Sequence, residues 1–339
     1  MNIYAFSTLF NGNEMVRDLI ESGVPVSGVI GLVDCAKNSE ISGYESAQDL
    51  CNKYSIEFIP IKSYALLDSG DIYTLSGLNI DLALVLGWQR LIPKWAIQKF
   101  RIGGVGIHGS AYGINEGRGR SPQNWALLLG KTEFHLSIFK LEEGVDSGPV
   151  LVTKTVPLTE FDDIKTTHWK VGRAAVRMLV ECLDPAMFSK SKLTIQDQAA
   201  RYFPKRIPED GEIDWNRDAL SIYNFIRAQS RPYPGAFTKL ENDVLRIWRA
   251  RPFEEHQPIG ATHAPGEIIK VFENGDLLIA TAKSKLLIEE YELSNASSNL
   301  VVGQKLNSAN FHNQMRLIAA RHLKAYPDFS LAEDFDLYI

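Results

Sequence analysis

An unbroken run of apolar residues at positions 82–86, LALVL, ends on Gly87 and is the feature that most constrains the fold. A strand that is apolar at every position has both faces covered, as in a parallel sheet with helices on its two sides. Strand-like and helix-like segments alternate around it, with strands expected at 3–7, 24–33 and 57–60 and helices at 12–21, 44–54 and 94–100. This alternation predicts an α/β fold built on a doubly wound, mostly parallel, Rossmann-like sheet.

The second half of the chain has a different pattern. A chain of 339 residues is long for a single core, so we expect more than one domain. Short alternating segments spaced by Gly, Pro, Asn and Asp occur at 244–250, 266–271, 277–281 and 285–293. They predict a small OB-like β-barrel after the sheet. The expected domains are 1–205, 206–312 and a helical, acidic tail at 313–339.

Charge and cysteine content exclude several classes of protein. Lys and Arg number 36 against 41 Asp and Glu, a formal net charge of -5, and a DNA-binding protein usually carries a basic face instead. Cys35, Cys51 and Cys182 lack the spacing of a zinc site or a disulfide framework, so we expect no metal and a reducing cytoplasm. No apolar run reaches the length of a membrane span and no charged leader precedes the first strand. The sequence therefore predicts a cytoplasmic protein that binds neither DNA nor a membrane.

Two polar residues follow predicted strands at one edge of the sheet. An apolar run at 104–107 ends on His108, and an alternating segment at 134–139 leads into an acidic loop that contains Asp146. Open α/β sheets bind ligands at the carboxyl ends of their strands. We predict that His108 accepts a proton or stabilises an oxyanion and that Asp146 fixes its tautomer. A structural histidine and an aspartate that merely forms a turn remain the alternatives.

The loop between these two segments, GRGRSPQNW, suits an anionic ligand. Arg118 and Arg120 flank Gly119, and planar guanidinium groups pair well with the oxygens of a diphosphate. The same arginines could instead tie the loop to nearby carboxylates. Asn124 and Trp125 on the following helix could line an acceptor site, and Trp125 could equally belong to the core.

Four segments in this order, GIHGS, GRGRSPQNWALLLG, LEEGVDSGPVL and GEIDWNRDALSIYNFIRAQSRPYPGAF, resemble the folate-dependent formyltransferases that share the methionyl-tRNA formyltransferase fold. The similarity is greatest to the sugar-nucleotide N-formyltransferases. It implies that an amine attacks the formyl carbon of 10-formyltetrahydrofolate, with His108 and Asp146 as the catalytic histidine and aspartate and with no metal.

The resemblance also implies a folate pocket and an acceptor site. One wall of the folate pocket would be formed largely by backbone groups of Trp88, Gln89, Arg90, Leu91 and Ile92, and the other wall by Leu141, Glu142, Gly144 and Val145. The acceptor site would comprise Gly106, Ser110, Arg118, Arg120, Asn124 and Trp125. Ordinary packing of Trp88 and a surface charge at Arg90 are the alternatives.

One position departs from the family pattern Asn-x-His, because Gly106 stands where the family has asparagine. That asparagine helps to bind the formyl oxygen, and the loss of one such donor commonly lowers a rate on the order of 100-fold or more. Asn115, Asn124 or a backbone N–H exposed by Gly106 could replace it. Otherwise the protein would be slow, or would bind folate or a nucleotide sugar without catalysis.

The acceptor is expected to be a UDP- or dTDP-linked amino sugar whose product enters surface polysaccharide. Methionyl-tRNA is the alternative, but it requires basic surface, and the stretch at 34–41 that corresponds to the basic loop of the tRNA enzymes is short and nearly neutral. A glycinamide ribonucleotide acceptor would need a phosphate loop near residue 10, which is absent. Members of the family often dimerise, so a homodimer is compatible with the sequence.

Overall fold

The structure is a computed structural model that describes residues 1–35, 41–183, 193–196, 199–240, 243–254, 263–295 and 299–339. The chain divides into two compact units that alternate along the sequence. The first unit comprises Met1–Arg118, Phe134–Val156 and His168–Ala199, and the second comprises Gly119–Glu133, Pro157–Thr167 and Ala200–Ile339. The domain boundaries expected near residues 205 and 312 remain a prediction.

The strands and helices follow the chain order. The strands are β1 Ile3–Phe6, β2 Val26–Leu32, β3 Glu57–Ile61, β4 Leu82–Val85, β5 Gly103–Ser110, β6 Arg118–Gly119, β7 Glu133–Lys140, β8 Val150–Pro157, β9 Arg201–Phe203, β10 Ala236–Leu240, β11 Asp243–Phe253, β12 Ile268–Val271, β13 Leu277–Ala280, β14 Lys285–Leu293 and β15 Ser330–Leu331. The α-helices are α1 Phe10–Glu21, α2 Gln48–Tyr54, α3 Ser69–Ser76, α4 Lys94–Ile97, α5 Pro122–Leu128, α6 Ile164–Cys182, α7 Ala219–Arg227 and α8 Phe311–Ala325.

A seven-stranded sheet in the order β3-β2-β1-β4-β5-β7-β8 organises the first unit. Strands β1 to β5 pair in parallel, whereas β5 and β7 are antiparallel. The chain moves outward from β1 to β3 and returns to the other side of β1 with β4, so the direction of winding reverses between β1 and β4. The predicted α/β class and mostly parallel sheet are confirmed. The reversal creates the kind of crevice in which such sheets bind ligands.

Strand β5 is longer than the sequence pattern predicts, and this affects the position of His108. Parallel pairing with β4 ends at Gly106, which lies opposite Val85. Antiparallel pairing with β7 continues through Ser110, which lies opposite His135. His108 therefore lies beyond the carboxyl end of β4 on one side while β7 holds its backbone on the other. The strand continues because its antiparallel partner extends further than its parallel one.

The second unit contains a five-stranded antiparallel sheet in the order β10-β11-β14-β13-β12. The predicted small β domain after the parallel sheet is confirmed to the extent that it contains an antiparallel sheet. Among the strands that the structure describes, the edge strands β10 and β12 do not pair with each other, so closure into a barrel remains a prediction. Strands β15, β9 and β6 form a small third sheet in that order. The end of the chain is packed, since Phe335 is fully buried and its ring lies 5.1 Å from that of Trp125.

Candidate active site

His108 and Asp146 lie together in the first unit. Nδ1 of His108 is 3.3 Å from Oδ2 of Asp146, and Nε2 is 2.8 Å from the carbonyl oxygen of Gly117. The histidine side chain is 8% exposed and the aspartate 23%. The groups next to the two ring nitrogens, a carboxylate and a backbone carbonyl, are both hydrogen-bond acceptors. The arrangement suits a histidine that delivers a proton or supports negative charge.

A strained turn presents the Asp146 carboxylate to this ring. Asp146 has φ 47°, the left-handed region that residues other than glycine adopt at an energetic cost. Two residues later, a side chain on Gly148 would collide with the carbonyl oxygen of Lys140. The Nε2 amide of Gln196 donates to the carbonyl oxygens of Asp146 (2.9 Å) and Gly148 (2.6 Å). The sequence pattern gave no indication of Gln196, which is 50 residues from Asp146 along the chain.

An apolar cluster fills the space beside Gly106. A β-carbon on Gly106 would lie 2.6 Å from Cζ of Phe139 and 3.0 Å from Cδ2 of Leu141. Phe139 is part of a buried group with Ile114 and Val150, against which Leu141 packs. A side chain therefore does not fit at position 106 unless Phe139 moves. Apolar side chains thus fill the space that the family asparagine would occupy.

The two asparagines that could replace the missing donor differ in their surroundings. Asn124 belongs to the second unit, is buried, and donates its amide to the carbonyl oxygen of Ala228 at 2.6 Å. This contact engages the amide of Asn124 within its own unit. Asn115 is half-buried in the first unit and accepts from Nη2 of Arg118 at 3.3 Å through its oxygen. Its Nδ2 has no hydrogen-bond partner among the described residues, so Asn115 is the better candidate donor.

Two residues that were predicted to contact the acceptor, Arg118 and Ser110, form hydrogen bonds within the protein. Arg118 is 7% exposed, and its guanidinium donates to Oε1 of Gln196 at 2.6 Å as well as to Asn115. Ser110 is fully buried, with its hydroxyl donated to the carbonyl oxygen of Gly113 at 2.7 Å. A guanidinium that must grip a diphosphate needs exposed N–H groups. The burial of Arg118 and Ser110 favours roles in holding the loop over direct contact with an acceptor.

The other predicted acceptor residues belong to the second unit. Trp125 is fully buried, stacks on Phe203 with 5.9 Å between ring centroids, and donates its indole N–H to the carbonyl oxygen of Pro204 at 3.0 Å. This placement favours the packing role of Trp125 over the predicted acceptor contact. Arg120 is half-buried, and its backbone N–H bonds to the carbonyl oxygen of Phe203. Of the two loop arginines, Arg120 is the more exposed.

The predicted folate residues divide into a packed group and an exposed group. Trp88 and Ile92 are buried in the core of the first unit, and the Trp88 ring meets Tyr64 edge-on at 4.8 Å. Between them, Gln89, Arg90 and Leu91 are exposed. The packing alternative thus describes the side chain of Trp88, while the segment that follows it is open to solvent. Backbone recognition of a flat ring would use this open segment.

A cavity of about 380 Å³ adjoins the second predicted folate wall. Its lining consists of Lys94, Ile97, Gln98, Leu141, Glu142, Glu143 and Gly144, and Lys94 pairs with Glu143 at 2.7 Å. The volume falls within the range of ligand pockets. Three residues that the resemblance assigns to folate, namely Leu141, Glu142 and Gly144, therefore line a cavity large enough for part of a cofactor-sized molecule.

The cysteine and metal chemistry of the described residues is limited. They contain no group of three or more His, Cys, Asp or Glu side chains that could hold a metal ion. Cys35, Cys51 and Cys182 are free thiols. Burial raises the pKa of Cys51 to about 11 and also raises that of Cys182, which disfavours the thiolate form of both. Of the helices that the structure describes, none combines the length and apolar character that a membrane crossing requires.

Comparison with known proteins gives matches over most of the chain. The family model described as "Formyl transferase" matches residues 3–183, and the model described as "Formyl transferase, C-terminal domain" matches residues 206–300. A methionyl-tRNA formyltransferase of Citrifermentans bemidjiense is 27% identical over 297 residues, which cover 86% of this chain and 90% of that protein.

Two solved structures share the fold. HypX from Aquifex aeolicus in complex with tetrahydrofolic acid is 19% identical with a TM-score of 0.59, and the match covers 89% of this chain but 46% of the HypX chain. The N-formyltransferase from Helicobacter canadensis in complex with folinic acid and dTDP-3-aminofucose is 13% identical with a TM-score of 0.59, covering 86% of this chain and 100% of that one. This chain spans less than half the length of HypX. At these identities the likeness concerns the fold.

Proposed function

We propose that this protein, which belongs to the formyl transferase family, transfers the formyl group of 10-formyltetrahydrofolate to the amine of a nucleotide-linked amino sugar. The observation that carries the proposal is the pairing of His108 with Asp146 at 3.3 Å, beyond the carboxyl end of β4. The cavity lined by Leu141, Glu142 and Gly144 belongs to the same unit and supports folate binding. A cytoplasmic location and a homodimer remain predictions.

The proposed reaction requires proton movement more than it requires a nucleophile on the protein. The folate supplies a formyl carbon, to which the acceptor nitrogen forms a bond as the bond to the folate nitrogen breaks. The acceptor nitrogen loses a proton and the departing nitrogen gains one. His108 would carry that proton or support the developing oxyanion, and Asp146 would hold the ring. Because Nε2 of His108 bonds to Gly117 here, we propose that the bound reactants replace the Gly117 carbonyl.

The surface charge of the second unit supports a small anionic acceptor over RNA. Arg249 and Arg251 both pair with Glu289, at 3.4 and 3.3 Å, and Arg231 pairs with Glu290. These two carboxylates offset part of the positive charge that would otherwise attract phosphate backbones. Residues 36–40 of the loop at 34–41 lie outside the described residues, so the argument from that loop remains one of sequence. A nucleotide sugar needs only a local diphosphate contact.

Methionyl-tRNA is the second candidate acceptor. The observation in its favour is the extent of the likeness to a methionyl-tRNA formyltransferase, over 86% of this chain. A protein that binds folate or a nucleotide sugar without catalysis is a third possibility, and Gly106 with its apolar surroundings favours it. The proposed amino-sugar product would be a building block of surface polysaccharide.

The experiment is a measurement of product mass. Purified protein is incubated with 10-formyltetrahydrofolate and a panel of UDP- and dTDP-linked 3-amino and 4-amino sugars, with methionyl-tRNA in a parallel reaction. We expect one sugar nucleotide to gain the mass of a single formyl group, and His108→Ala to abolish the gain. Transfer to methionyl-tRNA alone would reject the proposed acceptor, and binding without transfer to either would favour the non-catalytic protein.

A further inference from the structure

Gln196 contacts both loops that surround His108. Its Nε2 donates to the carbonyl oxygens of Asp146 at 2.9 Å and Gly148 at 2.6 Å, while its Oε1 accepts from Arg118 at 2.6 Å. The backbone near Gln196 is anchored to β8, because Thr194 and Val150 exchange two backbone hydrogen bonds of 2.8 and 2.9 Å. A single side chain on a fixed segment therefore joins the turn that carries Asp146 to the segment that carries Arg118.

The turn at Asp146 needs an external partner to keep its shape. A residue other than glycine rarely adopts φ 47°, and such a conformation persists only where the surroundings hold it. Gln196 bonds to the carbonyl oxygen of the strained residue itself and to that of Gly148. Two bonds from one amide on carbonyls two residues apart restrict rotation of the turn. The direction of the Asp146 carboxylate is fixed with it.

The amide oxygen of Gln196 acts, through Arg118, on the Nε2 side of the His108 ring. Arg118 is buried and donates to the amide oxygens of Asn115 and Gln196. It directly follows Gly117, whose carbonyl oxygen lies 2.8 Å from Nε2 of His108. Holding Arg118 therefore also holds the backbone group that contacts the ring. The series of contacts begins at Nδ1 of His108 and passes through Asp146, Gln196 and Arg118. It ends at Gly117, whose carbonyl oxygen contacts the other ring nitrogen, Nε2.

We propose that Gln196 is a positioning residue that orients the His108 ring by fixing its two acceptors in the free protein, and that it continues to orient the ring through Asp146 once the reactants replace the Gly117 carbonyl. In catalytic terms this rests on the proposed formyl transfer, in which His108 moves the proton. The effect on the ring itself is independent of the acceptor. Misplacement of a catalytic group by about 1 Å can lower a rate on the order of 100-fold without removing any group that touches the reactants.

Two variants and a matched control test the proposal. Gln196→Leu removes both halves of the amide at similar size, and Gln196→Glu keeps the acceptor for Arg118 but removes the donor to the two carbonyls. Thr194→Ala changes an exposed side chain on the same segment and preserves its backbone bonds to Val150. The readouts are kcat and KM for formyl transfer and the ring nitrogen signals of His108 in nitrogen-15 spectra, assigned by comparison with His108→Gln.

We expect Gln196→Leu to lower kcat by about 10- to 100-fold while both KM values change by less than about threefold. The His108 ring signals should shift in Gln196→Leu and Gln196→Glu and remain in place in Thr194→Ala. A folded Gln196→Leu with unshifted ring signals and wild-type kcat would overturn the proposal. If that variant does not fold, Gln196→Glu decides in the same way. If the wild type transfers formyl to no acceptor, the proposed function fails, and the ring signals alone still decide the role of Gln196.

Discussion

The residues at positions 106 and 139 are understood best as a pair. Gly106 lacks a side chain, and the Phe139 ring occupies the space that a side chain would need, with Cζ 2.6 Å from the position of a β-carbon. The two positions face each other across β5 and β7. Restoring the family asparagine in isolation would force Phe139 out of its buried group. In the proposed reaction, the donor to the formyl oxygen must therefore come from another part of the site.

Gly106→Asn is expected to lower the free energy of unfolding by about 1–3 kcal/mol and to leave kcat no higher than in the wild type, because the added side chain overpacks the cluster. Adding Phe139→Leu should recover part of the stability. Chemical denaturation and formyl-transfer rates provide the measurements, with Gly77→Asn as control because Gly77 is exposed and a β-carbon there would meet no atom closer than 3.5 Å. A stable single variant with a higher kcat would show that the site has room for the asparagine.

Asp146→Asn is expected to lower kcat by about 100-fold or more, since the ring of His108 loses the carboxylate that orients it. Steady-state rates at saturating folate and acceptor measure the change. Asp49→Asn, an exposed position on α2, is the control and should retain wild-type kcat. Near-normal activity of Asp146→Asn would reduce Asp146 to a turn residue.

His108 and Asp146 could be selected from the sequence because each follows a strand whose pattern is visible locally. The sheet brings such ends to one edge, so their proximity follows from fold class. Gln196 could not be selected, since its partners are 48 to 78 residues away and a glutamine in a polar segment carries no local signal. The burial of Arg118 was equally hidden, because an Arg-Gly-Arg loop is compatible with exposure as well as with internal hydrogen bonding.

At the scale of elements, most of the predicted strands and helices are present in the structure. Their ends differ from the predicted ones where pairing with a strand elsewhere in the chain extends or shortens them. Strand β5 extends through Ser110 because β7 continues to pair with it. Helix α3 was missed because its apolar pattern is weak, and a side-chain cap helps to define its start: Asp68 accepts from the backbone N–H groups of Gly70 and Asp71. Local patterns predict that an element exists, whereas its ends depend on partners elsewhere in the chain.

Helix α5 tests the role of Trp125. If the indole serves packing, Trp125→Ala should lower the free energy of unfolding by about 3–5 kcal/mol, as for other buried large-to-small changes. Trp125→Phe should retain the stacking on Phe203 and change KM for the acceptor by less than about threefold. Thermal unfolding and acceptor titration give the two numbers. A large increase in acceptor KM for a stable Trp125→Phe would instead support the contact that the sequence suggested.

A cross-strand pair in the first sheet gives a prediction at alkaline pH. Tyr4 on β1 donates to Glu57 on β3 at 2.8 Å, and burial, together with this carboxylate, raises the pKa of Tyr4 to about 12 from 10.0. The unfolded chain therefore loses this proton at lower pH than the folded protein does. The resulting stability is complete below pH 10 and is lost as pH rises toward 12.

The fall in unfolding free energy between these pH values should be smaller in Tyr4→Phe than in the wild type. It should not vanish, since burial also raises the pKa of Tyr233 to about 12. Urea unfolding at a series of pH values measures the slope. Tyr73→Phe, whose ring is 85% exposed, is the matched control. Equal slopes for wild type and Tyr4→Phe would contradict the coupling.

At the scale of the whole molecule, the two compact units alternate along the chain. No local sequence pattern marks the points at which the chain passes from one unit to the other. Residues 119–133 and 157–167 belong to the second unit although they lie within the stretch expected to form a single N-terminal domain. The sequence pattern changes near residue 185, after which Pro185, Pro204 and Pro208 interrupt a polar connection. The change of pattern near residue 185 carries no information about how the earlier segments divide between the two units, and the expected domain boundaries remain a prediction.

Net charge gives the prediction at this scale. A formal charge of -5 and paired arginines on the C-terminal sheet should leave little attraction for RNA. We expect the Kd for methionyl-tRNA at physiological salt to be weaker than about 10 µM, the range of non-specific electrostatic binding. Filter binding across salt concentrations measures it. Submicromolar binding with a steep salt dependence would contradict the proposed acceptor.

The most direct test is a competition in one vessel. Wild-type protein receives 10-formyltetrahydrofolate with equal concentrations of methionyl-tRNA and the amino-sugar nucleotides, and the initial rate of formylation of each is followed by mass. The account predicts that one sugar nucleotide takes the formyl group at a kcat/KM at least about 100-fold above that for methionyl-tRNA, which corresponds to a difference of about 2.7 kcal/mol in transition-state stabilisation. Preferential formylation of methionyl-tRNA would contradict it.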